Sequence, residues 1–280
     1  METASASDIG ARPEQQDAVT VRVSDDGRRA LLAVADGMGG HAAGAWASHT
    51  AIATIEAHWE QCNGMPTRPA RWLETVARAA HDALRAEIAD DTAPPGTTLV
   101  VLFVDESGAW WVHCGDSRLL HFRGTRLIER TRDHSRVQEL FEAGMIREQE
   151  MATHPDQNHL LAALGMPGGL RLDHGHAKRH PDSAFLLCTD GFWEQIEPAE
   201  MAGLLVSDDL SRGLDEAVRV AARRGGPRGD NIAVAAWRSG APRGFDRLRH
   251  RGGSLVPSTL LGGIILLAVL AILFWPVGGG

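Results

Sequence analysis

Four aspartates in this 280-residue chain sit beside glycine where an apolar run begins or ends. Asp36-Gly37 follows LLAVA, Gly115-Asp116-Ser117-Arg118 follows WVHC, Asp190-Gly191 follows FLLCT, and Gly229-Asp230-Asn231 precedes IAVAAW. The end of a buried strand is a costly place for an isolated carboxylate, because losing water penalises its charge. Several converging carboxylates also repel one another unless a cation sits among them. An oxygen-only donor set, without cysteine or paired histidine, suits a hard ion such as magnesium or manganese better than zinc. Glycine next to the aspartate lets the backbone approach, so a carbonyl can join the ligands. Taken singly, each string also reads as an ordinary Asp-Gly turn. Four of them at strand ends point to a divalent metal centre.

The elements that must carry these aspartates can be read from periodicity. Short apolar runs at 19–23, 29–35, 97–104, 109–114, 118–122, 125–128, 183–188 and 231–237 predict strands, those between 97 and 128 as one antiparallel meander. Helical spacing predicts helices over 42–60, 69–89, 198–206 and 210–223, with shorter ones at 137–143 and 148–153. Strands in runs and helices in pairs argue an α+β fold and not alternating βαβ units.

The charge balance divides the chain. The net charge is −8 overall, which argues against nonspecific nucleic-acid binding. The C-terminal extension is basic instead: Arg243, Arg247, Arg249 and Arg251 stand against Asp246 alone. Residues 239–254 read as a Gly/Arg-rich linker, and residues 255–277 hold no charge at all. As a helix those residues reach about 34 Å, enough to cross a hydrocarbon core of about 30 Å. The arginines before the span predict a single-pass anchor in the cytoplasmic membrane with residues 1–238 facing the cytoplasm. Cys62, Cys114 and Cys188 form no CxxC pair, which fits a reducing compartment. The first residues lack the basic and apolar regions of a signal peptide.

With these strings in place, residues 8–238 resemble the protein phosphatase 2C family, the metal-dependent serine/threonine phosphatases, in its bacterial form. DGMGGHAAGAWAS (36–48) is the most specific match; GTT (96–98), GDSR (115–118), CTDG (188–191) and GDN (229–231) follow in family order. The resemblance implies a four-layer αββα sandwich, two antiparallel sheets flanked by helix pairs, in a phosphatase domain over 1–238. It implies two tightly bound Mn2+ or Mg2+ ions and a third, weaker one. Asp36 then resembles the carboxylate that bridges two ions, and Gly37 the residue that gives its carbonyl to the second. Asp190 and Asp230 match ligands of the first ion, and Asp116 with Asp190 those of the third. Arg12, in ARPEQQDA, sits where the family grips the substrate phosphate, and Asp17 where it has an acid that orders water. Paired divalent ions lower the pKa of a shared water from 15.7 toward about 7, so no nucleophilic side chain is needed. The family acts on phosphoproteins and opposes serine/threonine kinases, which implies the same partners here.

Some positions depart from the family pattern. Gln16 stands where many members have a carboxylate near the second ion, Glu194 where an aspartate is common, and Met38 where animal members carry a histidine. His41 is a nearby candidate proton donor or a surface residue. Residues 131–165 resemble the flap that bacterial members place beside the metals, with VQELFEAGMI, HPDQN and LLAALG. His174, His176 and His180 have no spacing that faces one ion and read as surface. Two other readings share these residues: a phosphoprotein-binding pseudophosphatase weakened at Gln16, and a small-molecule phosphohydrolase.

Overall fold

The computed structural model describes residues 1–88, 94–151 and 153–240. In chain order the strands and helices of the first half are β1 (Glu2–Asp8), β2 (Asp17–Val23), β3 (Ala30–Met38), α1 (His41–Gln61), α2 (Pro69–Glu87), β4 (Gly96–Thr97), β5 (Leu99–Val104) and β6 (Ala109–Cys114). There follow β7 (Arg118–Arg123), β8 (Arg126–Arg130), α3 (Arg136–Glu142), α4 (Glu148–Met151), β9 (Asp173–Ala177), β10 (Ser183–Cys188), α5 (Asp190–Trp193), α6 (Pro198–Leu205), α7 (Leu210–Gly225) and β11 (Ile232–Arg238). One sheet has the order β1-β11-β10-β7-β8 and the other β2-β3-β5-β6-β9, with β4 pairing β3. All these pairings are antiparallel.

Side-chain alternation explains why the central strands are apolar throughout. Successive residues of a strand face opposite sides of the sheet. In β3, Leu31, Ala33 and Ala35 pack with Ile55, Leu73 and Leu84 of α1 and α2, while Ala30, Leu32 and Val34 pack between the sheets. In β10, Leu186 and Cys188 pack with Leu205 and Leu214 of α6 and α7, while Phe185 and Leu187 face the inter-sheet layer. Strands buried on both faces lose the polar/apolar alternation of a one-sided sheet. The result is the expected helix–sheet–sheet–helix sandwich.

Phe185 lies at the centre of the inter-sheet layer, fully buried, with Trp111, His121 and Trp237 rings around it at centroid distances of 4.4–6.2 Å. Replacing Phe185 with alanine is expected to cost about 3–5 kcal/mol, read as a lower urea midpoint at unchanged m-value.

Three features differ from the sequence reading. The stretch 97–128 is not one meander: β5 and β6 pair in one sheet, while β7 and β8 belong to the other. The tight Gly115-Asp116-Ser117 turn moves the chain between layers, and short-range spacing does not report a change of sheet. β1 is a strand that periodicity missed, since ETASASD carries small and polar residues; it is an edge strand, held by its full register with β11 and by Arg238 Nε donating to Glu2 at 2.8 Å. β9, DHGHA, was also missed; it too is an edge strand, with His174 and His176 exposed as expected and Asp173 opposite His113. Among the described residues no helix is long and apolar enough to cross a membrane. The 255–277 span, most of the linker before it and the C-terminal end of the 69–89 helix lie outside the described residues.

Candidate metal centre

The register of β2 against β3 places Asp17 directly opposite Asp36. Residues opposite one another in an antiparallel pair point to the same face, with Cβ atoms about 4.5–5.5 Å apart. Thr189, at the end of β10 in the other sheet, donates from Oγ1 to Asp17 Oδ2 at 2.7 Å and so joins the sheets at this edge. Thr189 N donates to Ala233 O, which sets the start of α5, with Asp190, beside the Asp230-Asn231 turn. Asn231 fastens that turn to the N-terminal segment: its Oδ1 accepts from Gln16 N at 2.8 Å, and its Nδ2 donates to Ile9 O and Glu14 O.

The GTT string has a clear structural part. Thr98 N and Thr97 Oγ1 both donate to Asp36 O at 2.8 Å, and Asp36 N donates to Thr98 Oγ1 at 2.9 Å. Thr98 Oγ1 also lies 2.7 Å from Ser117 Oγ, which ties the Asp36 backbone to the turn carrying Asp116. Gly115 in that turn has φ +104°, and a Cβ there would come within 2.7 Å of Thr98. Gly37 is equally constrained: a Cβ would meet Gly44 O of α1 at 2.0 Å. The glycines therefore allow close approach of the backbones that surround the aspartates.

Asp116 is steadied from its other side. Arg118 donates bidentately to Asp133 at 2.9 and 2.7 Å, and its guanidinium stacks 3.4 Å over Trp193. Trp193 Nε1 in turn donates to Asp116 O at 3.1 Å. Sequence reading quoted Arg118 only as part of GDSR; Trp193 and Asp133 carried no signal, because their role depends on contacts between distant segments. A cavity of about 360 Å3 opens beside Asp116, between the flap residues Val137, Gln149 and Met151 and the α5–α6 residues Trp193, Glu194 and Met201.

The electrostatics show that the aspartates converge. Asp36, Asp116 and Asp190 sit at a half-open edge, yet protein groups surround their carboxyls closely enough that burial is the largest influence on each. Burial, then repulsion from Asp17, Asp190, Asp116 and Asp230, holds Asp36 well above the usual carboxylate range. Asp190 is raised by burial, then by Asp116, Asp230, Glu194 and Asp17. Burial pushes Asp17 up to about 7, against the hydrogen bond from Thr189. Asp116 is also pushed to about 7, by burial and then by Asp133. Glu194 is raised by burial and by Asp230, so it belongs to the same field. A set of oxygen donors that repel one another when charged fits hard divalent cations.

Arg12 lies at the rim, half-exposed, with Nη2 2.7 Å from Asp230 Oδ2. Its guanidinium therefore reaches the aspartate cluster. All the expected site residues, Arg12, Asp17, Asp36, Gly37, Asp116, Asp190 and Asp230, come from five separate segments and gather at one edge of the sandwich. Met38 follows on β3, opposite Gly96. The Gln16 amide packs against α1: a Cβ on Gly44 would approach its Nε2 to 2.6 Å.

Comparison with known proteins gives a consistent result. The family model described as Protein phosphatase 2C matches residues 6–225. Protein phosphatase PhpP of Streptococcus pneumoniae is 33% identical over 244 residues, 84% of this chain and 96% of PhpP. The PPM Ser-Thr phosphatase MsPP from Mycobacterium smegmatis, solved with cacodylate, superposes with a TM-score of 0.72 at 31% identity, covering 86% of this chain and 99% of that one. The catalytic domain of the serine/threonine protein phosphatase PstP, solved with 2 manganese ions, gives a TM-score of 0.70 at 29% identity, with coverage of 84% and 96%.

Proposed function

The chain belongs to the protein phosphatase 2C family, and we propose that it hydrolyses phosphoserine and phosphothreonine in proteins at the edge where its five aspartates meet. The observation that carries this reading is the convergence of Asp17, Asp36, Asp116, Asp190 and Asp230 from both sheets, with Arg12 at the rim. Asp36, the Gly37 carbonyl, Asp190 and Asp230 would hold Mn2+ or Mg2+ at this edge. Asp116 with Asp190 suits a third, weaker ion. Divalent ions bound there supply Lewis acidity, which makes hydroxide available at neutral pH and offsets charge on the phosphoryl oxygens.

The chain's own residues do the rest. Asp17, which accepts a hydrogen bond from Thr189 Oγ1, orders water for in-line attack. Arg12 exchanges its contact with Asp230 for the substrate phosphate, to which a guanidinium fork binds in two places. The flap and the cavity beside Asp116 receive residues flanking the phosphorylated side chain and so select among phosphoproteins. Phosphate on such side chains is placed there by a serine/threonine kinase, the enzyme opposed by this one.

Arg12→Ala is expected to raise KM for a phosphothreonine peptide about tenfold or more with little change in kcat, because phosphate binding is lost before nucleophile activation. Steady-state kinetics at saturating manganese check it; lost kcat at unchanged KM contradicts the assignment. Hydrolysis of phosphopeptides compared with small phosphate esters tests the substrate class, and dependence on manganese reversed by EDTA tests the chemistry.

We also place the domain at the cytoplasmic membrane. The support is the uncharged stretch 255–277 preceded by four arginines. Removing residues from 240 onward is expected to move the protein from the membrane to the soluble fraction with activity retained. Continued sedimentation of the truncated protein with membranes rules this anchor out.

A further inference from the structure

A second group of possible metal ligands stands next to the aspartate turn. His113 on β6 is the direct register partner of Asp173 on β9. His134, at the start of the flap, stacks on His113 with ring centroids 4.7 Å apart and an interplanar angle of 27°. Both imidazoles are more than nine-tenths buried, at 3% and 1% exposure for His113 and the His134 side chain. Buried polar atoms are almost always paired, yet His113 Nδ1 has no hydrogen-bond partner, and His134 Nε2 is turned to the Asp173 carboxylate. One ligand atom from each of His113, His134 and Asp173 lies within 4.8 Å of the others. His134 Nε2 is 3.3 Å from Asp173 Oδ2, and the Asp173 side chain is 44% exposed, which leaves solvent access on that side.

We propose that His113, His134 and Asp173 bind a zinc ion that ties the root of the flap to the sheet, as a site made of residues other than the catalytic aspartates. Two imidazoles and one carboxylate are a donor set that zinc takes, with water in the fourth position. His113 Nε2 is 2.9 Å from Arg132 O, so it donates there and leaves Nδ1 as a free lone pair. That backbone hydrogen bond is the usual support of a metal-binding imidazole. Burial lowers the pKa of His113, and burial with the neighbouring His113 lowers His134 to about 4, so both rings are neutral at pH 7. Arg171 is also near both rings, and the carboxylate of Asp173 offsets its charge. A tetrahedral shell with bonds of about 2.0–2.1 Å needs ligand atoms about 3.4 Å apart; His134 Nε2 and Asp173 Oδ2 already stand 3.3 Å apart.

The position gives the ion a consequence. His134 O accepts from Leu161 N at 2.8 Å, and Ser135 bridges Leu160, so His134 sits where both ends of the flap join. Gly115 N donates to His134 Nδ1 at 3.3 Å, which puts the ring proton on Nε2. An ion at Nε2 takes the place of that proton, which passes to Nδ1, and the Gly115 contact opens. Zinc occupancy is thereby coupled to the turn that carries Asp116.

The test uses the full-length protein in excess magnesium, which occupies the aspartates, dialysed against micromolar zinc and assayed for bound zinc. One zinc per chain is expected. His134→Ala and, at the half-exposed position, Asp173→Asn should each weaken it at least about tenfold, while Asp36→Asn retains it. Cobalt in place of zinc should give the strong visible bands of a tetrahedral site, lost in Asp173→Asn. Zinc that survives both flap-side variants but leaves with Asp36→Asn belongs to the catalytic centre and overturns the proposal. Absence of bound zinc in the wild type overturns it as well. Neither result bears on whether the aspartate centre hydrolyses phosphate.

Discussion

Asp36→Asn is expected to lower turnover of a phosphothreonine peptide by about 10³-fold and, in the same preparation, to raise the melting temperature of the EDTA-treated protein. The loss follows from the position of Asp36 on β3, opposite Asp17 and facing Asp116, Asp190 and Asp230. An amide of the same shape keeps the fold but withdraws the charge that both ions would share. The gain follows from the same geometry. Without cations, Asp36 is a buried acid surrounded by four others, and every one of them raises its pKa. Asparagine removes the cost of taking up a proton or holding a charge at that position, and saturating manganese should stabilise the variant less than the wild type. Calorimetry with and without manganese, run beside the kinetics, checks both halves. A variant that melts lower in EDTA has lost activity through damage to the fold, and one with wild-type turnover removes Asp36 from the chemistry.

The second large effect is a pH dependence that reverses the ordinary behaviour of paired carboxylates. Burial pushes Asp17 and Asp116 up to about 7 in the folded protein, against an ordinary value of 3.8, and holds Asp36 and Asp190 well above it. Between these values the folded state holds protons that the unfolded chain has released. The contribution of these aspartates to stability is therefore largest at low pH and falls as pH rises through their folded-state values. His81, His113, His121 and His134 act in the opposite direction, because burial lowers their pKa, but only up to the unfolded histidine value of 6.5. From pH 7 to 8.5 the aspartates dominate. The melting temperature of the EDTA-treated protein should fall across that window by about 5 °C, and excess manganese should remove the slope. Scanning calorimetry at both pH values checks it; a metal-free protein that gains stability from pH 7 to 8.5 contradicts the convergence of these carboxyls.

Much of this centre was legible in the sequence, because the aspartates stand at the ends of apolar runs whose strands form within a residue or two of the expected limits. Ser183–Cys188 and Ala109–Cys114 coincide with them. What the sequence could not show depends on partners far along the chain. β1 is polar and becomes a strand only because β11 offers it an edge. β6 and β7 look like one hairpin but separate into different sheets, β6 pairing β5 and β7 pairing the distant β10. Asp133 and Trp193 are unremarkable in sequence and Arg118 stands out only as the end of GDSR; their support of Asp116 emerges from three segments meeting. The His113–His134–Asp173 group was missed for the same reason: its members are distant in sequence, whereas the closely spaced His174 and His176 lie exposed on an edge strand.

The most direct measurement is anomalous diffraction at the manganese edge from crystals grown with manganese. Two peaks are expected, both touching Asp36, with Asp190 and Asp230 completing the shell of one and the Gly37 carbonyl contributing to the other. Manganese bound elsewhere, or none at Asp36 in crystals whose protein is active with manganese, would contradict the metal centre on which this reading of the enzyme rests.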